Sequence, residues 1–167
     1  IALKLQPITI VNPVKRVGYI MGAGDLVPEA LRNLGIHVDL LDIAKLNGSA
    51  LEQYDAVVCG VRLLNVNPQV GKALDILYRY ANNGGVVLMQ YNVNSRLQED
   101  EFAPKPFALS RARVTEEDAE VRFVESDDPA LNYPNKITKQ DFEGWVQERG
   151  LYFAENIDPS YRTPLEM

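Results

Sequence analysis

Several residue types that build common functional sites are scarce in this chain of 167 residues. It has one histidine, His37, and one cysteine, Cys59. A zinc site built on several histidines is therefore excluded, and a lone cysteine cannot form an internal disulfide bond. Acidic residues outnumber basic ones, 23 to 17, which gives a net charge of -6. Because a phosphate-tracking surface needs a basic stripe, we expect no nucleic-acid partner.

Long hydrophobic runs are also missing. No apolar run approaches the roughly 20 residues of a membrane-spanning helix, so we expect no membrane span. The chain begins with Ile-Ala-Leu-Lys, without an initiator methionine and without the basic start and apolar block of a signal peptide. We therefore expect it to be a piece of a longer protein, whose export the sequence leaves open. Its length and its hydrophobic fraction of 46% suit one domain with a substantial core.

The strongest structural pattern runs from Gln53 to Arg96. Two short apolar runs, 55–60 and 86–90, predict β-strands. The segment between them has apolar residues at helical spacing: Val70, Ala73, Leu74, Leu77 and Ala81. The pattern therefore predicts a βαβ unit. Because both strands are apolar on both faces, we expect them in the middle of a parallel sheet covered by helices.

The first hundred residues continue this alternation. Strands are predicted at 15–20 and 37–42, and helices at 27–34 and 43–54. Asp25 is a candidate helix cap, Pro28 suits a first helical turn and Gly35 suits a helix stop. The order β-α-β-α-β-α-β predicts an α/β fold with a doubly wound, mostly parallel sheet and helices on both faces. We interpret 1–14 as an N-terminal arm or linker and 15–167 as a single domain.

The rest of the chain has shorter elements. An acidic loop with prolines is expected at 97–106, and a short helix opening at Thr138 and running to Trp145. Strands are expected at 107–110, 120–124 and 150–153. We interpret the tail from 157 to 167 as irregular.

Polar residues follow the third and fourth predicted strands. They are Arg62, Asn65, Tyr91, Asn92, Asn94 and Arg96. Carboxyl ends of adjacent parallel strands lie together, and ligands bind there. Amide, phenol and guanidinium groups can bind sugar hydroxyls or a carboxylate. The alternative is that they only satisfy the loop backbone.

A second group of polar residues surrounds the only tryptophan, Trp145. Its members are Glu143, Glu148 and Arg149. A tryptophan beside a carboxylate and an arginine is a common arrangement for stacking on a sugar. It is also a common way to close the end of a sheet, and the sequence leaves both readings open.

Gly22 and Gly24 stand between a strand and a helix, where a dinucleotide-binding fingerprint would lie. Asp42 lies at the end of the next predicted strand, about where a ribose-binding acid falls. However, Val27 replaces the third glycine, and Asp25 and Glu29 would compete with a phosphate. We therefore favour a tight turn before a capped helix. Cys59, inside an apolar strand, is interpreted as a buried inert thiol, and His37 as a surface or edge residue.

Four segments in order resemble a known module: VGYIMGAGDLVPEALRNLG, YDAVVCGVRLLN, NNGGVVLMQYNVN and NKITKQDFEGWVQERGLYF. From about Val17 onward the chain is similar to the class I glutamine amidotransferase-like domain that follows the catalytic domain of some bacterial PIG-L (LmbE-like) deacetylases. The resemblance implies a flavodoxin-like fold, a bacterial origin and a zinc deacetylase domain as partner. It also implies a module that continues beyond residue 167.

The resemblance carries no catalytic residues over to this chain. True amidotransferases have a cysteine nucleophile after the strand that corresponds to 86–90, where this chain has Gln90-Tyr91-Asn92. No histidine follows His37 to complete the triad, and the His-Pro-Asp-Asp zinc motif of the deacetylase half is absent. We therefore expect no catalytic residue, no metal and no cofactor.

Three hypotheses follow. The first is a non-catalytic domain that binds or positions a glycan, or docks to the deacetylase domain. Its site would consist of Arg62, Asn65, Tyr91, Asn92 and Arg96, with Glu143 and Arg149 nearby. The second is a cysteine-independent hydrolase that uses Glu143 or Asp25 as a base, which requires a carboxylate with a raised pKa at the strand ends. The third is a flavodoxin-type nucleotide-binding domain that uses Gly22 to Asp25.

Overall fold

A computed structural model describes residues 9–146 and 149–167. Its centre is a parallel sheet of four strands in the order β2-β1-β3-β4. The strands are β1 (Arg16–Ile20), β2 (His37–Leu40), β3 (Ala56–Cys59) and β4 (Val86–Met89). The predicted α/β class and the four parallel strands are confirmed.

Helices connect these strands. They are α1 (Val27–Asn33), α2 (Gly48–Leu51), α3 (Leu63–Val66) and α4 (Val70–Asn82), with a 3-10 helix at Ile43–Lys45 before α2. The prediction of one helix over 43–54 is wrong, because the 3-10 helix ends at Lys45 and Asn47 caps a separate helix, α2, by accepting the Ala50 N–H. Helix α3 was not predicted. Helix α4 is confirmed.

The start of α1 differs in detail from the prediction. The capping position belongs to Leu26, which offers no side-chain acceptor, rather than to Asp25. Asp25 stands one residue earlier, and its carboxylate accepts the N–H of Val27 at 2.9 Å. Pro28 lies in the first turn as expected. Gly35 follows the helix with φ of 81°, a left-handed conformation that favours glycine.

Buried residues form one cluster on each face of the sheet, because alternate residues of a strand point to opposite faces. Tyr19 and Val58 belong to one cluster, against which Val27 and Leu31 of α1 pack. Ile20, Val57 and Cys59 belong to the other, together with residues of α4 that include Leu74 and Leu77. Each fully buried aliphatic side chain contributes about 1.5–3 kcal/mol.

The expected central position of β4 is wrong. Within residues 9–146 and 149–167, β4 pairs only with β3, so it forms an edge of the sheet. Val86 is 57% exposed and Leu88 is 52% exposed, whereas Val87 and Met89 pack against the α4 side. An apolar sequence therefore did not guarantee burial on both faces.

The last third of the chain forms three short antiparallel ladders. β5 (Ala108–Leu109) pairs with β9 (Ala154–Glu155), β6 (Arg113–Val114) with β8 (Gly150–Leu151), and β7 (Arg122–Phe123) with β10 (Leu165–Glu166). The three predicted strands are present but shorter. The tail was expected to be irregular, and that is wrong at β10. Helix α5 (Pro129–Asn132) was not predicted.

Two further segments surround this region. The expected helix from Thr138 to Trp145 is only a 3-10 helix, Lys139–Phe142, with Thr138 and Asp141 bonded reciprocally at its start. The described part of the N-terminal arm, 9–14, is tied to Asn135, whose amide exchanges two hydrogen bonds with the backbone of Val11. No helix in the described ranges has the length and apolar character needed to cross a bilayer.

Candidate functional site

The loops that follow β1 and β3 touch at the carboxyl end of the sheet. The N–H of Ala23 donates to the carbonyl of Val61 at 2.8 Å. A Cβ on Gly22 would meet the carbonyl oxygens of Val61 and Gly60, and one on Gly60 would lie 2.6 Å from the backbone nitrogen of Gly22. These glycines are therefore needed for close loop packing, which agrees with the predicted tight turn.

A hydrogen-bonded chain of side chains crosses the ends of β1, β3 and β4. Gln90 Nε2 donates to the hydroxyl oxygen of Tyr19 at 2.7 Å, and that hydroxyl donates to Asp25 at 2.7 Å. Burial, followed by the bond to Asp25, raises the pKa of Tyr19, so its hydroxyl stays a neutral donor. Neither Tyr19 nor the role of Gln90 was found from sequence, because each stands inside an apolar strand pattern.

The carboxylate of Asp25 is fully engaged. It accepts the Tyr19 hydroxyl on both oxygens, the Val27 N–H at 2.9 Å and the Val61 N–H at 3.4 Å. Its partners belong to β1, α1 and the loop after β3. Asp25 therefore fixes the strand ends in place, and a base role would require these bonds to break. Gly24 lies in the same turn with φ of 101°.

The strand-end residues predicted as one group do lie together. The Arg62 N–H donates to the carbonyl of Tyr91 at 2.9 Å, and Asn92 Oδ1 accepts the N–H of Leu64 at 2.9 Å. Asn92 Nδ2 donates to the carbonyl of Gln90. The loops after β3 and β4 are therefore joined by their own amide groups.

The side chain of Asn65 also bonds the backbone of the loop after β4. Its Nδ2 donates to the carbonyls of Val93 and Ser95, and its Oδ1 accepts the N–H of Val93 at 3.0 Å. Both Asn65 and Asn92 are buried. The alternative raised by the sequence, that these amides satisfy loop backbone, therefore describes the bonds that they make.

Other members of the strand-end group point outward. Arg62 and Arg96 are exposed, with φ of 59° and 58°, and Tyr91 is exposed. Asn94 is half-buried. These four side chains offer guanidinium, phenol and amide groups at the surface, and their role in ligand binding stays a prediction.

The second predicted group forms a separate cleft of about 570 Å³. The guanidinium of Arg149 lies over the indole of Trp145, 5.3 Å from the ring centroid. Arg149 also donates to the carbonyls of Ala119 and Phe142 at 3.1 and 2.6 Å. The arginine is thus fixed by backbone acceptors and supports the indole, which is 40% exposed.

Charged groups surround this indole. The cleft is lined by Glu117, Asp118, Glu120, Lys139 and Glu143, among others. Lys139 Nζ lies 2.6 Å from Glu120 Oε1, and this bond holds the pKa of Glu120 below its usual range. The carboxylate of Glu120 therefore stays ionised at neutral pH beside an exposed aromatic surface. Phe142, whose ring lies 5.2 Å from that of Trp145, was not expected here.

The two groups do not share one site. Glu143, Trp145 and Arg149 line the cleft beside Phe142, whereas Tyr91 and Asn92 line a different one beside β4. The expectation that Glu143 and Arg149 lie near the strand ends is therefore not supported by the clefts that they line. Glu148 lies outside the described residues.

Comparisons with protein-family models, curated proteins and solved structures found no match to this chain.

The two residues that could suggest metal or thiol chemistry lie apart from both clefts. Cys59 is fully buried in β3, and burial raises the pKa of its thiol to about 12. His37 is exposed on β2, with Nε2 3.1 Å from Asp39 Oδ1. Both agree with the interpretation as an inert core thiol and an edge histidine. Among the described residues, no group of three or more potential ligands could hold a metal ion.

Proposed function

We propose that this chain is a non-catalytic, glutamine amidotransferase-like domain that binds a glycan in the cleft beside Trp145. In this proposal the domain positions the glycan for a separate zinc deacetylase domain of the PIG-L type. The observation that carries the proposal is the exposed indole of Trp145, supported by Arg149 in a cleft that is also lined by acidic side chains.

The chemistry of the cleft fits a neutral sugar. The C–H face of a pyranose ring packs on an indole, whose apolar body and fixed geometry make it a good anchor. Carboxylates such as Glu143 accept hydrogen bonds from hydroxyl and amide N–H groups. Arg149 already has backbone acceptors, so its main contribution is to hold Trp145 in position.

The strand ends favour a non-catalytic domain, because the side chains there are engaged in structural hydrogen bonds. The resemblance would place a nucleophile at Gln90-Tyr91-Asn92. There, Gln90 donates to Tyr19, and Asn92 bonds the backbone of Leu64 and Gln90. Cys59 is buried one strand away with a pKa raised to about 12, so it stays a thiol at neutral pH.

The strand order also supports the proposed fold family. The order β2-β1-β3-β4 coincides with the first four positions of the flavodoxin-like order 2-1-3-4-5. Buried clusters on both faces of the sheet suit a doubly wound arrangement. We therefore propose a flavodoxin-like domain of the amidotransferase type.

The proposal is tested by calorimetric titration with the trimer of N-acetylglucosamine. We expect saturable binding, its loss in Trp145→Ala and at least tenfold weaker binding in Glu143→Ala. Tyr91→Ala is the matched control, since it removes an exposed aromatic ring from the other cleft. Unchanged binding in Trp145→Ala, or no binding by the unmodified chain, would overturn the proposal.

A further inference from the structure

The ring of Trp145 is held by the short segment that precedes it. Its Nε1–H donates to the carbonyl of Asp141 at 3.1 Å. Between these two residues, Gly144 has φ of 72°, a left-handed conformation that favours glycine. The chain therefore turns back at Gly144, and the indole lies against the 3-10 helix Lys139–Phe142.

Asp141 also holds the start of that 3-10 helix. Its Oδ2 accepts the backbone N–H of Thr138 at 2.7 Å and the Thr138 hydroxyl at 3.0 Å. The Asp141 N–H in turn donates to the carbonyl of Thr138 at 3.1 Å. Asp141 is thus bonded to Thr138 through its carboxylate and its N–H, and to the indole through its carbonyl.

The bonds between Thr138 and Asp141 matter because the helix is short. A 3-10 helix has poorer hydrogen-bond geometry than an α-helix, and this one has only four residues. A single turn fixes several backbone dihedral angles for one hydrogen bond, which is unfavourable on its own. A side-chain cap offsets this by bonding donors that have no partner within the helix. Loss of the cap should therefore loosen the turn, and with it the direction of the Asp141 carbonyl.

Two further supports of the indole depend on the same helix. The ring of Phe142, its last residue, lies 5.2 Å from that of Trp145. The carbonyl of Phe142 accepts a hydrogen bond from Arg149, whose guanidinium lies over the indole at 5.3 Å. A loosened helix would therefore weaken the contact with the Phe142 ring and the anchor of Arg149, as well as the hydrogen bond at Nε1.

Thr138 and Asp141 do not form the surface of the cleft. The described residues that line it include Phe142, Glu143 and Trp145, but neither Thr138 nor Asp141. An effect of these two residues on a ligand in the cleft must therefore pass through the helix and the indole.

The orientation of an exposed ring affects how strongly it binds a ligand. A side chain that moves freely loses rotational freedom when it packs on a ligand, whereas a ring already held in its bound orientation avoids that cost. Trp145 is 40% exposed, so neighbouring residues cover only part of it. The hydrogen bond at Nε1 is therefore important, because it fixes the rotation of the ring.

We propose that Thr138 and Asp141 are positioning residues of the glycan site. Their hydrogen bonds fix the 3-10 helix, the helix holds the Asp141 carbonyl at the indole Nε1–H, and Trp145 keeps the orientation in which it packs on a sugar. Neither residue contacts the glycan. The inference rests on the proposed function, because it requires a glycan in the cleft beside Trp145.

Fluorescence tests the position of the indole without any ligand, since Trp145 is the only tryptophan. Asp141→Ala removes both bonds from Thr138 to the carboxylate, whereas Asp141→Asn retains an oxygen acceptor. Quenching by acrylamide reports how accessible the ring is. We expect the quenching constant to rise about twofold in Asp141→Ala and to stay near its original value in Asp141→Asn.

Calorimetric titration with the trimer of N-acetylglucosamine tests the effect on binding. We expect about fivefold weaker binding in Asp141→Ala and restored affinity in Asp141→Asn. Thr138→Val removes only the hydroxyl and should weaken binding less, and Thr138→Ser, which keeps the hydroxyl, should bind normally. Both positions are exposed, so all four variants should retain the fold.

Asp158→Ala is the matched control. Asp158 Oδ1 accepts the N–H and the hydroxyl of Ser160 at 2.9 and 2.6 Å, the same pair of bonds that Asp141 makes. Asp158 is not among the described residues that line the Trp145 cleft. Its replacement should leave both quenching and affinity unchanged.

The two measurements separate the possible failures. Unchanged quenching in Asp141→Ala would overturn the positioning role, and so would unchanged affinity for the trimer or an equal effect in Asp158→Ala. No binding of the trimer by the unmodified chain would instead overturn the proposed function, and the positioning of a glycan with it, even if quenching rises in Asp141→Ala.

Discussion

The hydroxyl oxygen of Tyr19 lies 2.7 Å from both carboxylate oxygens of Asp25, which share its one proton, and it accepts a hydrogen bond from Gln90 Nε2. Because the Val61 N–H after β3 also donates to Asp25, these bonds join the ends of β1, β3 and β4, where α/β proteins bind their ligands. The Tyr19 hydroxyl and both carboxylate oxygens of Asp25 have hydrogen-bond partners within the protein. The strand ends are thus a built structural junction, and the proposed glycan site lies elsewhere, beside Trp145.

Removal of the Tyr19 hydroxyl should destabilise the fold. Tyr19→Phe deletes a charge-assisted donor to Asp25 and leaves Gln90 without its acceptor. We expect the free energy of unfolding to fall by about 1.5–3 kcal/mol, as measured by urea denaturation. Tyr133→Phe, at a residue that is 73% exposed, is the control and should change it by less than about 0.5 kcal/mol. Equal stability of the two variants would refute the structural role of the junction.

Two glycines should respond in opposite ways to an added methyl group. Gly22→Ala places a Cβ against the carbonyl oxygens of Val61 and Gly60, so we expect a loss of about 1–3 kcal/mol. At Gly48 a Cβ meets no atom within 4 Å. Gly48→Ala should therefore be neutral or stabilising by up to about 1 kcal/mol. Thermal or urea unfolding checks both, and a tolerated alanine at Gly22 would contradict the close packing of the two loops.

Replacement of Asn92 and Asn94 compares a buried amide that bonds the backbone with a half-buried one in the same loop. Asn92 is buried and bonds the backbone of Leu64 and Gln90, so Asn92→Ala should cost about 1–3 kcal/mol of unfolding free energy. Asn94 is half-buried, and its replacement by alanine should cost less than about 0.5 kcal/mol. Chemical denaturation of the two variants gives the comparison. The prediction fails if Asn94→Ala is the more damaging change.

The buried thiol of Cys59 should lower the free energy of unfolding at alkaline pH. Its thiol has a pKa of about 12 in the folded chain against 9.0 when unperturbed, because burial disfavours the thiolate. The folded state therefore binds the proton more tightly, so this contribution is complete below about pH 9 and is lost as pH rises from 9 towards 12. In Cys59→Ala the free energy of unfolding should fall less steeply with rising pH, by up to about 1.4 kcal/mol per pH unit.

The reactivity of the same thiol gives an independent check on its burial. We expect no reaction of native protein with Ellman's reagent at pH 8, and full reaction in concentrated urea. Rapid modification of the native chain would show that the thiol is accessible.

Periodicity and turn residues predicted the parallel sheet well. The helical spacing of Val70, Leu74 and Leu77 identified α4, and the apolar runs identified β3 and β4. These patterns report local burial, which a single strand or helix face determines. Gly35 also marked the end of α1 because its φ of 81° suits glycine.

Position within the sheet could not be predicted in the same way. Val86 and Leu88 look like residues of a central strand, but only pairing over long sequence distances decides that β4 is an edge. The Tyr19–Asp25–Gln90 chain was missed for a similar reason, since Gln90 lies 71 positions from Tyr19. The separation of Trp145 from the strand ends likewise depends on how the last third of the chain folds.

The most direct test of the glycan-binding proposal is a ¹H–¹⁵N NMR titration with the trimer of N-acetylglucosamine. Trp145 is the only tryptophan, so its indole N–H gives a single, unambiguous signal. We predict saturable shifts of that signal and of the backbone amides of 117–121 and 142–145, with the amides of 91–96 unchanged. Shifts confined to 91–96, or no saturable shift at all, would contradict a glycan site beside Trp145.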